Sequence, residues 1–332
     1  MSVFTLSLRS GSSGNSTYIR TDSARIAVDC GMTGKQFALA LRSIGEDAIA
    51  VDALLLTHEH IDHCSGIGVV MRRYDIPLYT TRSTFEGARD ILGNINESLV
   101  NIIEPGKAFS IRDTVVLPFS VPHDASDPVG FRIYTAEGDV GVVTDLGHFS
   151  PEVKNSLDGC RVVYLEANFD PDLLESGLYP QFLKRRIAGS HGHLSNFDAG
   201  DAAVQLLHTG TEAFLLCHLS RDNNRPGLAL KTVSERLLRE GARAGRDYVI
   251  NASPRFECSH IYHYRRTLPG QPKSLPSLHE ESQITENYTQ CTMAVPEIRG
   301  GDAGMAAENY TQCTMAAQQN DSVLHLQDGE SV

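Results

Sequence analysis

Between residues 58 and 63 the chain reads His-Glu-His-Ile-Asp-His, directly behind the apolar run Ala53-Leu-Leu-Leu-Thr57. On an extended strand end, residues i and i+2 face the same side, so His58 and His60 can grip one cation. Asp62 and His63 fall where the chain turns toward a helix and reach for a second ion. Further donors close other apolar runs: His123 follows the run 115–121, Asp145 ends Gly141-Val-Val-Thr-Asp145, and His218 ends Phe214-Leu-Leu-Cys-His218. Together they complete two sets, His58/His60/His123/Asp145 and Asp62/His63/Asp145/His218, with Asp145 shared. Imidazole and carboxylate donors with no thiolate suit two divalent metal ions, Mn²⁺ or Zn²⁺.

These side chains need strand ends to carry them. β-branched or Leu-rich runs predict strands over 3–8, 17–20, 25–29, 53–57, 77–80, 115–121, 130–135, 139–145, 162–167 and 213–218. Apolar periodicity predicts helices over 35–43, 65–74, 83–92, 196–208 and 228–240, the fourth capped by Ser195. Hairpin-like pairs mixed into β-α alternation point to sheets packed between helices, and away from a doubly wound fold with one parallel sheet.

One domain is expected over residues 1–266. From 267 onward the chain is Pro/Ser-rich and then acidic, with ENYTQCTMA occurring at 286–294 and again at 308–316. Two short copies carry too little apolar mass to build a core, so a disordered acidic tail is expected, with a partner-binding repeat as the alternative. The 332-residue chain has a formal net charge of −12. The tail holds nine acidic residues against Lys273 and Arg299, a net of −7, which leaves the body at −5. That balance excludes a basic DNA-coating protein but not an enzyme acting on nucleic acid. No run approaches the ~18–20 apolar residues of a membrane span, and no export signal is visible. Seven irregularly spaced cysteines without a C-x-x-C pair fit reduced thiols and a cytoplasmic location.

The order Asp29, His58-x-His60-x-Asp62-His63, His123, Asp145, His218 resembles the metallo-β-lactamase superfamily over essentially all of residues 1–266. The resemblance implies a four-layer αββα sandwich with its metal site at one end, followed here by the tail. It also implies that Asp29, at the end of Arg25-Ile-Ala-Val-Asp29, supports metal-binding histidines by hydrogen bonds without being a ligand. Finer motifs resemble the YycJ/WalJ (VicX) branch: Ser10-Gly-Ser-Ser-Gly-Asn-Ser16, His123-Asp-Ala with Asp127-Pro-Val-Gly130, Leu165-Glu-Ala-Asn-Phe-Asp170, Gly192-His-Leu-Ser-Asn196 and His218-Leu-Ser-Arg-Asp-Asn-Asn224. That branch implies a metal-dependent 5′→3′ exonuclease acting on DNA, linked to repair.

On this reading Asp62 binds one ion and orients the attacking water, and His193 contacts the scissile phosphate or protonates the leaving oxygen. Ser195, Asn196, Ser220, Asn223 and Asn224 are expected to donate hydrogen bonds to phosphate. The Ser12-Ser13-Gly14-Asn15 loop is expected near the metal mouth, and Lys184-Arg-Arg186, Arg221 and Arg225 flank the motifs where a nucleic-acid backbone could run. DNA is favoured over RNA as the partner. The alternatives are an RNA-processing nuclease and a small-molecule thioesterase or lactonase on the same metal core. The 73 residues from Asp145 to His218 are too few for the large inserted domain of the β-CASP enzymes. A non-catalytic module is disfavoured by the intact ligand set.

Overall fold

In the computed structural model, which describes residues 2–265 and 277–278, alternation along the strands explains the layering. The chain first lays down β1 (Val3–Arg9), β2 (Ser16–Arg20), β3 (Arg25–Val28), β4 (Ala53–Leu55), β5 (Leu78–Thr80) and β6 (Val100–Ile102). It then forms β7 (Phe109–Ile111), β8 (Thr114–Ser120), β9 (Val129–Tyr134), β10 (Val140–Val143), β11 (Val162–Glu166), β12 (Ala213–Cys217) and β13 (Val249–Ala252). Two late strands, β14 (Tyr262–Tyr264) and β15 (Ser277–Leu278), return to the first sheet. Among the described residues, one sheet has the order β15-β14-β1-β2-β3-β4-β5-β6 and the other β13-β12-β11-β10-β9-β8-β7.

In β11, Val162 and Tyr164 enter the core between the sheets, whereas Val163 and Leu165 face an outer helix layer. In β12, Ala213 and Leu215 point inward to the same central core, and Phe214 and Leu216 outward. Strands buried on both faces read as continuous apolar runs, which is why these were legible as strands. The outer face of the first sheet is covered by α1 (Gly34–Ser43), α3 (Ile67–Tyr74) and α4 (Arg82–Leu92), which follow or flank the four-residue α2 (Ile61–Cys64). The second sheet is covered by α5 (Pro151–Leu157), α8 (Asn196–His208) and α9 (Pro226–Arg239), with the short α6 (Pro171–Ser176) and α7 (Gln181–Ile187) lying between β11 and α8 in the chain. The result is the four-layer αββα sandwich.

Pairing is parallel through β3-β4-β5-β6 and β10-β11-β12-β13. Residues that follow parallel neighbours therefore emerge on a common edge, where open α/β sheets gather ligands. Asp29, the 56–63 segment, Asp145, Glu166 and His218 all emerge there.

Three details differ from expectation. The helix expected over 65–74 is observed as α3 from Ile67, and a separate short helix, α2, precedes it and carries Asp62 and His63, which were expected in a turn before the helix. The break is at Gly66, where a Cβ would come within 1.9 Å of Met32 O. The short elements α5, α6, α7, β6, β7, β13 and β14 had no sequence counterpart. Finally, Ser277–Leu278 pair with Tyr262–His263, beyond the expected domain end at 266. The duplicated ENYTQCTMA segments and the expected disorder of the tail lie outside the described residues. No helix among the described residues is long and apolar enough to cross a membrane, and the described cysteines are free thiols.

Candidate metal centre

Four histidines of the cluster, His58, His63, His123 and His218, are each turned by a hydrogen bond on Nδ1. His63 Nδ1 donates to Asp29 Oδ2 at 2.8 Å. Thr57 Oγ1 lies 3.0 Å from His58 Nδ1 and donates in turn to Asp29 Oδ2 at 2.9 Å. Asp29 therefore holds His63 directly and His58 through Thr57. His123 Nδ1 donates to Gly192 O at 3.0 Å, and His218 Nδ1 to Glu166 Oε1 at 2.8 Å. Such partners fix the tautomer and leave the Nε2 lone pair for a cation. His60 is the exception, presenting Nδ1, which lies 3.4 Å from His123 Nε2.

The inward atoms converge. His58, His60 and His123 form one group, Asp62, His63 and His218 a second, and Asp145 joins His58 and His63 in a third, each with donor atoms within 4.8 Å of one another. Asp145 thus links the two clusters, as expected of a shared carboxylate, with its Oδ2 3.0 Å from His63 Nε2 and its Oδ1 3.7 Å from His123 Nε2. Two observations make this donor set fit a divalent cation. His58 Nε2 is buried without a hydrogen-bond partner, and Asp145 Oδ2 is buried facing only another candidate ligand atom, His63 Nε2 at 3.0 Å; burying unsatisfied polar atoms is unfavourable unless something compensates. The donors are also imidazoles and carboxylates, the set that Zn²⁺ and Mn²⁺ accept.

The electrostatics agree. Burial alone would raise the carboxyls, yet His63 and His218 hold Asp62 down at about 2, and His218 and His63 hold Asp145 well below the usual range. Burial would likewise lower His218, but Asp145, Asp62 and Glu166 outweigh it and push it up to about 10. Deep burial and the neighbouring His63 keep His58 well below its ordinary value. A dense set of buried carboxylates faces the imidazoles, and a divalent ion would neutralise that field.

Backbone geometry aims the strand ends. Asp29, Asp145 and His218 follow β3, β10 and β12, and each has a left-handed φ, of 60°, 55° and 54°. The turn at each residue throws its side chain off the strand line and into the cluster. The Ser10–Ser16 loop lies beside it. Asn15 Nδ2 donates to Asp62 Oδ2 at 3.2 Å, Asn15 N donates to Asp62 O at 2.8 Å, and Ser10 Oγ accepts from His218 N at 2.7 Å.

Glu166 is the residue that sequence reasoning missed as a site residue, although it lies within the Leu165-Glu-Ala-Asn-Phe-Asp170 motif. It ends β11 fully buried. Its Oε1 accepts from His218 Nδ1 at 2.8 Å and from His193 Nδ1 at 2.9 Å, and its Oε2 from the amides of Leu146 (2.7 Å) and Leu194 (3.0 Å). Both oxygens are bonded in this way, so Glu166 positions other groups, and it also lies with Asp145, His193 and His218 in a fourth set of donor atoms within 4.8 Å of one another. The available signal was a carboxylate closing a wholly apolar strand, as at Asp29. His193, with its side chain 21% exposed, keeps Nε2 available beside the cluster. Burial would lower His193, but Glu166 and then Asp145 outweigh it and raise its pKa.

The expected phosphate donors turn out differently. Ser195 caps α8, accepting from Asp198 N at 3.1 Å and donating to Asp198 Oδ2. Asn196 and Asn224 are buried and bonded to each other, and Asn224 Nδ2 also donates to Ala167 O and Asn168 O. In this structure these three side chains tie loops together, so a phosphate held by them as expected would have to compete with those bonds. Asn223 is also buried, and Ser220 Oγ accepts from its backbone N–H at 3.1 Å. Of the basic residues, Lys184 is buried and donates to Glu175 O, and Arg186 pairs with Asp124 at 2.5 Å. Arg185, Arg221 and Arg225 are exposed, and so is His191.

Comparison with known proteins matches these features to a family. The model of the beta-lactamase superfamily domain matches residues 24–219. The exodeoxyribonuclease YycJ of Bacillus anthracis is 34% identical over 244 residues, covering 74% of this chain and 92% of that protein. The exodeoxyribonuclease WalJ of Streptococcus pneumoniae is 36% identical over 250 residues, covering 74% and 93%. Among solved structures, the metallo-beta-lactamase fold protein YhfI from Bacillus subtilis superposes with a TM-score of 0.61 at 15% identity, over 79% of this chain and 99% of that one. The chain belongs to the metallo-β-lactamase superfamily, in the branch that contains these YycJ and WalJ relatives.

Proposed function

We propose that this protein is a metal-dependent phosphodiesterase, a 5′→3′ DNA exonuclease serving DNA repair in the cytoplasm, with two divalent ions, Mn²⁺ or Zn²⁺, in the cluster. The observation that carries the reading is the convergence of His58, His60, Asp62, His63, His123, Asp145 and His218 from strand ends of both sheets, with His193 held beside them by Glu166. The exodeoxyribonuclease names of two relatives, each matched over nine-tenths of its length, support the substrate class.

His58, His60 and His123 would hold one ion, and Asp62, His63 and His218 the other, with Asp145 between them. When bound, such ions supply Lewis-acid polarisation of phosphate and lower the pKa of water. The chain's own groups do the rest. Asp62, anchored by Asn15, orients the attacking water. Glu166 fixes His193 Nδ1 as a donor, so that Nε2 faces the reacting phosphate and can pass a proton to the leaving oxygen.

The test uses full-length protein loaded with Mn²⁺ or Zn²⁺ and DNA and RNA, single- and double-stranded, labelled at either end. Stepwise release from the 5′ end of DNA, two equivalents of metal by elemental analysis, and loss of activity in Asp62→Ala and His193→Ala are expected. Turnover of a thioester or lactone with no cleavage of any nucleic acid would overturn the reading.

A further inference from the structure

Phe256 is 65% exposed, yet its ring is held in place. The Arg9 guanidinium carbon lies over the ring, 5.2 Å from its centroid. Arg9 is itself partly buried, reaching Gln36 Oε1 in the first turn of α1 at 3.4 Å and passing close to Gly14. The two residues before Phe256 are bonded to the backbone that carries the metal cluster. Pro254 O accepts from Ser10 N at 3.1 Å, and the same Ser10 accepts from His218 N. Arg255 Nη2 donates to Leu219 O at 2.5 Å, one residue after His218. An exposed phenyl ring alone is ordinary on a protein surface. This one is braced by a cation, and the two residues before it are tied by two bonds to Ser10 and Leu219, which flank His218 in space and in sequence.

We propose that Phe256, braced by Arg9, is a stacking platform for a nucleobase of the strand whose phosphodiester lies at the metal centre. The proposal rests on the nuclease reading and names how the strand end is gripped. A flat ring accepts any base through its π-face, giving affinity without sequence preference. Arg9 adds positive charge on the same rim, where a polyanionic backbone must pass. The platform acts on strand binding and takes no part in bond cleavage.

The test compares wild type with Phe256→Ala and Phe256→Trp on a single-stranded oligonucleotide and on bis(p-nitrophenyl) phosphate, a phosphodiester without a base. Loss of one base–aromatic stack should raise KM for the oligonucleotide roughly tenfold in Phe256→Ala, with little change in kcat. Phe256→Trp should retain the wild-type KM, and bis(p-nitrophenyl) phosphate should be hydrolysed alike by all three. A 2-aminopurine base, moved through the first three positions of a cleavage-resistant phosphorothioate strand, should be quenched at one position by wild type but not by Phe256→Ala. An abasic residue at that position should erase the difference between the two enzymes. Equal KM and equal quenching for wild type and Phe256→Ala would overturn the platform and leave the nuclease reading standing. Wild-type turnover of bis(p-nitrophenyl) phosphate with no action on any oligonucleotide would overturn both.

Discussion

Glu166 Oε1 lies 2.9 Å from His193 Nδ1 on the rim of the metal cluster, and the same oxygen accepts from His218 Nδ1 at 2.8 Å. One buried carboxylate thus sets the orientation of a candidate metal ligand and of the candidate proton donor together. Glu166→Gln should weaken both. Loss of an orienting partner of this kind reduces metal affinity or activity roughly 10–100-fold. Metal titration and kcat measured at saturating metal separate the two effects. A variant with unchanged affinity and unchanged kcat would show that the shared contact is incidental.

Gly31 is where two backbones leave no room. A Cβ there would fall 1.6 Å from Asp62 O and 2.8 Å from Asn15 N. Gly31→Ala must therefore displace α2, with Asp62 and His63, or the Asn15 loop. Overpacking against backbone should destabilise the protein by about 3 kcal/mol or more, and metal binding should fall with it. Gly227 makes the contrast, since a Cβ there meets nothing within 4 Å. Gly227→Ala should be neutral or stabilising by up to about 1 kcal/mol. Thermal melting of the two variants checks both expectations.

Away from the cluster, burial pushes the Cys160 thiol up to about 12 from 9.0. Burial likewise pushes Tyr262 up to about 12 from 10.0, although it accepts a hydrogen bond from Asn251. In both cases the folded state holds the proton more tightly than the unfolded chain. Their contribution to stability is present in full below pH 9 and is lost as the pH climbs from there toward 12. Melting temperature measured in chelator should already decline above about pH 7 as the raised His63, His193 and His218 lose their protons, and should fall more steeply above about pH 9, with that steeper part shallower in Tyr262→Phe. A flat profile through pH 11 would refute this assignment.

Truncation after Leu278 keeps the edge strand Ser277–Leu278 and removes both ENYTQCTMA copies. If the hydrolase body is complete without them, kcat, KM and melting temperature should match those of the full chain. Loss of activity would move the functional boundary into the removed segment.

Much of the fold was legible because apolar strands end in ligands and long helices carry caps. The helix expected over 196–208 is observed as Asn196–His208, since Ser195 marks its start. The short helices α5 and α6 were not legible from periodicity, being seven and six residues long. Their signal lay in caps alone, Ser150-Pro151 and Asp170-Pro171. The edge strand Val100-Asn101-Ile102 is mixed and largely exposed, so no face declares itself. At the site, His58 to His63 stood out because the donors are neighbours in sequence. Glu166 did not, because its two histidines are 27 and 52 residues away and only the parallel pairing of β11 with β12 brings one of them close. The asparagine run after His218 was harder to divide: Asn224 is spent on Asn196 and on backbone carbonyls, whereas Asn223 Nδ2 is buried without a hydrogen-bond partner, a difference set by partners distant in sequence.

The left-handed backbone at Asp29, Asp145 and His218 makes the cluster a reservoir of conformational energy. For a residue with a Cβ, that region lies about 1–2 kcal/mol above the ordinary helical well, within a total folding stability of only ~5–15 kcal/mol. Glycine at any of the three would relax the backbone and delete the functional side chain in one step. Selection for thermal stability alone would therefore tend to erase this centre, whereas selection for activity must keep three strained residues against that pull.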